Sequence, residues 1–125
     1  NDNEASVDNM ILINPVLSFI TVVLFAPLVE EITYRYGLFA GIRKYSRVLA
    51  YIVTSLVFAL IHFDFNFSDQ AVLINELLNL PTYIFAAVML CYAYDKNTSL
   101  ATSMTAHLIN NLTAVITTII ASFLQ

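Results

Sequence analysis

Four stretches of this chain carry no formal charge: residues 11–29, 48–63, 77–94 and 98–125. A helix needs roughly 17–25 apolar residues, rising about 1.5 Å each, to cross the hydrocarbon of a bilayer. Three runs reach that length, and 48–63 falls a little short. The expected fold is therefore all-α, a multi-pass transmembrane bundle of about four helices in the cell membrane. Hydrophobic residues make up 59% of the chain and charged ones only 11%, against about a quarter charged in soluble domains. A soluble chain of 125 residues could not hide so much apolar surface.

The first ten residues form a polar N-terminal segment bearing Asp2, Glu4 and Asp8 and no basic residue. It lacks the basic start and short apolar core of a signal peptide. Because the chain starts at Asn1 without methionine, this segment reads as the end of a loop from a longer protein. Residues 11–125 then make one membrane-embedded core, with connections at 41–47, 64–70 and 95–97 and no internal repeat. Arg43, Lys44 and Arg47 lie in the first connection and Lys96 in the third, whereas the second holds Asp64 and Asp69. Counting cations in short loops places the first and third connections on the cytoplasmic side. A net charge of −4 offers nothing to nucleic acid. The single cysteine, Cys91, excludes an internal disulfide and a Cys-based metal cluster, and reads as a small residue packed between helices.

Against this apolar background Glu30, Glu31, Arg35, His62 and His107 stand out, because ionisable groups at bilayer depth are costly and usually face a protein cavity. If the first helix continues through Arg35 to about Gly41, Glu30 and His62 each climb ~22–26 Å from the first connection. His107 and Asn111 climb ~15–21 Å from the third. Four polar groups from three helices thus reach similar depth and can share one cavity.

Glu31 and Arg35, four apart, meet on one helix face and can pair. Glu30 points ~100° away, as 3.6 residues per turn require, and is left free to exchange a proton with water. The bland alternative is that all three lie at the membrane interface and snorkel. His107 and Asn111 share a face of the last helix, where two N–H donors can stabilise a developing oxyanion, or simply join helices by hydrogen bonds. Two histidines and a glutamate are also a possible zinc set, although the His-Glu-x-x-His pattern is missing. Glu76, with Asn75 and Asn79, reads as an interfacial, solvated group. Pro27 and Pro81 free the carbonyls of Val23 and Leu77, and Tyr45, Tyr51, Tyr92 and Tyr94 suit an interfacial belt.

Taken in order, Glu30-Glu31-x-x-x-Arg35, Phe58-x-x-x-His62 and His107-x-x-x-Asn111 resemble the CAAX protease and bacteriocin-processing family, also called the abortive-infection or type II CAAX prenyl endopeptidase-like group. The resemblance runs from Pro27 to about Leu112 and includes the turn Tyr94-Asp95-Lys96-Asn97-Thr98-Ser99-Leu100. It implies an intramembrane glutamate-type endopeptidase without a metal cofactor, acting on a CAAX-tail-like, pheromone or bacteriocin-type substrate at the bilayer. By its motifs Glu30 corresponds to the water-activating residue and His62 to its partner. His107 and Asn111 correspond to the oxyanion pair, with Glu31 and Arg35 in support. Two departures bear on groove shape. Tyr34-Arg35 is followed by Tyr36 before Gly37, and Ala87 and Cys91 stand where the family tends to have glycines. Rival readings are a non-catalytic bacteriocin self-immunity or scaffold protein, a zinc-dependent membrane metalloprotease, and a polar translocation path. The last lacks the inverted repeat of many transporters.

Overall fold

The computed structural model describes residues 9–65 and 67–124. Most of the polar N-terminal segment and Gln125 lie outside them. After a short helical stretch at 9–13, four longer helices follow in order among the described residues: α1, Pro15–Arg43; α2, Arg47–Ile61; α3, Gln70–Asn97; and α4, Leu100–Phe123. α1, α3 and α4 are long and apolar enough to cross a membrane, and α2 is shorter. No strand occurs among the described residues.

Local chemistry sets the ends. Asn14 caps α1 by accepting the Leu17 N–H, with Pro15 in the first turn where its missing donor is harmless. Ser46 caps α2 through Leu49 N–H, and Asp69 caps α3 through the N–H groups of Ala71 and Val72. Thr98 ends α3 in the left-handed region, at φ 49°. The short connections that result fold each helix back beside its predecessor.

α1 passes from α into π turns twice, over Phe19–Phe25 and Glu31–Phe39. At the first, Ala26 N–H reaches Thr21 O, five residues back. In that register the carbonyl opposite Pro27 is Val22, not Val23 as an α register requires. α1 also continues past Glu30 to Arg43, as the spacing of the polar residues demands.

Packing is confined to three small clusters. Phe39, Ala50, Cys91 and Tyr94 join α1, α2 and α3; Phe58, Ala87 and Leu90 join α2 and α3; Val23 and Val115 join α1 and α4 with Ile11. Ala87 and Cys91 are both fully buried, so small residues other than glycine still allow close approach. Large side chains such as Phe25, Val29, Leu78 and Phe85 point outward, as a lipid-facing surface does.

Three expectations need correction. Residue 95 belongs to α3 rather than to a connection, and the Asp95 carboxylate turns inward. There it accepts from Arg43, from Arg47 at 2.6 Å and from the Tyr51 hydroxyl at 3.2 Å. Tyr51 and buried Tyr94 are therefore packing and bonding groups, while exposed Tyr45 and half-exposed Tyr92 remain fit for a belt. Glu76 is fully buried, because α3 starts seven residues before the apolar run and carries it into the bundle. Its Oε2 accepts the Asp64 N–H at 3.2 Å, tying the α2–α3 connection to α3.

Candidate active site

Glu30, His62, His107 and Asn111, from α1, α2 and α4, line one cavity of about 1040 Å³. Tyr83 and Thr82 of α3 complete its polar wall. The shared depth inferred from helix rise thus corresponds to a shared space.

The centre is His107, only 5% exposed. Its Nδ1 lies 2.8 Å from Glu31 Oε1 and its Nε2 lies 3.7 Å from Glu30 Oε2. Arg35 Nη1 sits 3.1 Å from the same Glu31 oxygen, both side chains being fully buried. A carboxylate oxygen already paired with a guanidinium is read as an acceptor, so Nδ1 is assigned as the donor to Glu31. The imidazole is thereby fixed in orientation with its other nitrogen turned to Glu30. The two glutamates, expected to look in separate directions, meet at opposite nitrogens of one ring. A π register begins at Glu31 and narrows the angular step between neighbours relative to an α-helix.

Arg35 is held from three sides. Besides Glu31 it reaches the Ala87 carbonyl with Nη2 at 3.4 Å, and its Cζ stands 4.6 Å from the Phe58 ring centroid. Such a cation–aromatic contact gains strength where water is absent. Arg35 Nε, Glu31 Oε2 and Glu30 Oε2 are buried without a hydrogen-bond partner among the described residues. The Glu30 side chain as a whole is nonetheless 22% exposed. It is the acid of this cluster with access to the cavity.

His62 closes α2. Its Nδ1 lies 2.8 Å from the Phe58 carbonyl, and its ring stacks on Tyr83 at 5.2 Å between centroids. A carbonyl only accepts, so Nδ1 donates there and Nε2 of the neutral ring is left as an acceptor. Asn111 directs Nδ2 to the Val22 carbonyl at 2.9 Å, which leaves the second amide hydrogen for the cavity. Asn110, which also lines the cavity, donates from Nδ2 to the Asn111 carboxamide oxygen at 3.4 Å.

Sequence reasoning passed over Tyr83 and the Val22 carbonyl. Tyr83 had a signal, an aromatic two residues beyond Pro81 inside an apolar helix; the carbonyl had none. For metals, no three His, Cys, Asp or Glu side chains among the described residues come together in a way that could hold an ion.

Residues 12–113 match the family model described as type II CAAX prenyl endopeptidase Rce1-like. A curated relative, the UPF0177 protein YvdC of Lactococcus lactis subsp. lactis (strain IL1403), is 28% identical over 110 residues. That stretch covers 88% of this chain and 38% of the relative, so the chain spans well under half of that protein's length. No solved structure matches.

Proposed function

The chain belongs to the type II CAAX prenyl endopeptidase Rce1-like family, and from that premise we propose that it is the catalytic core of an intramembrane endopeptidase driven by Glu30. It is a multi-pass integral membrane protein, with three helices long and apolar enough to span. The observation that carries the proposal is the meeting of Glu30, His62, His107 and Asn111 around one cavity inside such a bundle.

In this reading a water molecule sits between Glu30 and His62 Nε2. Glu30 takes one of its protons as the oxygen attacks the peptide carbonyl, and later returns that proton to the leaving amine. The oxyanion that forms faces the free amide hydrogen of Asn111, a good donor being worth about 3–4 kcal/mol, and Nε2 of His107, which donates there only when the ring carries a second proton. Glu31 and Arg35 do not touch substrate; they orient His107. The chemistry uses no metal. The substrate class is a peptide or protein tail presented from the bilayer, of the CAAX-like, pheromone or bacteriocin type.

The test is cleavage of candidate membrane peptides by the wild type and by Glu30→Gln, reconstituted in lipid. Turnover by the wild type alone, at equal expression and melting temperature, supports the proposal. Equal turnover by both proteins removes Glu30 from the mechanism. A wild type that binds such peptides without cleaving them points instead to an immunity or scaffold role.

A further inference from the structure

Pro27 lies one turn before Glu30 and has no N–H to give. The preceding turn is π-wound, with Ala26 N–H on Thr21 O, so the main-chain partner missing at Pro27 belongs to Val22 O. A carbonyl without a partner in hydrocarbon is costly, and membrane helices tolerate proline only where something else supplies the bond. Here Asn111 of α4 supplies it at 2.9 Å, across 89 positions of sequence. One helical turn earlier on the same face of α4, His107 grips Glu31. α4 therefore holds α1 on both sides of the proline turn, at Val22 before it and at Glu31 after it. Glu30 sits between the two grips.

We propose that Asn111 is a positioning residue for Glu30: its carboxamide replaces the main-chain donor that Pro27 lacks and so sets the turn that aims Glu30 into the cavity. This deepens the endopeptidase reading and rests on it for the consequence to turnover, but the brace itself does not depend on catalysis. Asn111 then divides its two amide hydrogens, one to Val22 and one to the reacting oxygen. Pro27 and Asn111 are coupled: a main-chain N–H at position 27 makes the first of these bonds dispensable and leaves the second untouched.

The test uses wild type, Asn111→Ala, Pro27→Ala and the double variant, each carrying an isotope-labelled carbonyl at Val22 and reconstituted in lipid. Infrared spectroscopy reads whether that carbonyl is hydrogen-bonded. Asn111→Ala should shift its stretch to higher frequency and lower the melting temperature. In the Pro27→Ala background the same change should leave both near the Pro27→Ala values, because the restored N–H at position 27, or a neighbouring one, then supplies a main-chain donor. Turnover of the double variant should exceed that of Asn111→Ala while staying below wild type, the remaining deficit being the lost oxyanion donor. A Val22 stretch indifferent to Asn111→Ala overturns the brace. Infrared and melting rescue without any gain in turnover overturns its positioning of Glu30. If the wild type cleaves no candidate peptide, the endopeptidase reading fails while infrared and melting still decide the brace.

Discussion

At the end of the bundle that holds the first and third connections, Asp95 is wrapped by Arg43, Arg47 and Tyr51. At the cavity, Glu31 is wrapped in a similar way by Arg35 and His107. Both carboxylates are fully buried, yet their surroundings differ. The side chains of Arg43 and Arg47 that hold Asp95 are 38% and 65% exposed, so each can turn to water or headgroups. Arg35 is fully enclosed, and its neighbourhood retains buried oxygens and a nitrogen without partners, with Glu30 beside it open to a cavity. Where every partner has another place to go, a charged cluster joins helices and does little else. Where partners are trapped and one acid is left over, the cluster has the makings of a reaction centre.

That contrast can be broken by substitution. The largest effect should fall on Glu30→Gln, which keeps shape and most hydrogen bonding but removes a base; turnover should drop by about 10²–10⁴-fold with detergent melting unchanged. Full activity in Glu30→Gln, with activity lost but stability kept in Glu31→Gln, would reverse the roles given to the two acids. Next comes the buried pair. Glu31→Gln leaves Arg35 enclosed without its counter-charge, and Arg35→Gln does the same to Glu31, so each should cost about 3–5 kcal/mol. Melting of the double variant should show less loss than the sum, because neither charge remains to be stranded.

Asp95→Asn should be far milder, about 1 kcal/mol or less, since Arg43 and Arg47 can be solvated once released. Chemical denaturation in detergent checks this figure, and a loss as large as that of Glu31→Gln would erase the distinction between the two clusters. The smallest effect expected is none. Turnover should be unchanged by chelators in the assay, and loss restored by stoichiometric zinc would turn the cavity into a metal centre.

The parts of this architecture written plainly in the sequence are those that depend on solvent and on distance. Uncharged runs marked the helices, and helix rise brought Glu30, His62 and His107 to one depth. The pairing of Glu31 with Arg35 followed from a spacing of four. What stayed hidden depends on register and on partners far along the chain. A switch from α to π turns changes no residue's polarity, so nothing in the pattern announced that Val22 rather than Val23 would lose its donor. Nor could it show both glutamates meeting one imidazole. Glu76 read as solvated because its apolar run began later; only the early start of α3 and the folding back of Asp64 bury it.

The Glu31–Arg35 pair has a consequence for biogenesis. Its partners lie on one stretch of chain, so the pair can close as soon as α1 winds, before α3 or α4 has been synthesised. A charged side chain at the middle of an inserting helix costs about 2.5–3.5 kcal/mol on insertion scales, and α1 carries three near its centre. Closing the pair early lets the segment leave the translocation machinery with two of the three already neutralised by each other. Were the counter-charge supplied from α4 instead, the finished site could look the same. The nascent helix would then have to wait in the bilayer with a bare guanidinium until its last partner arrived.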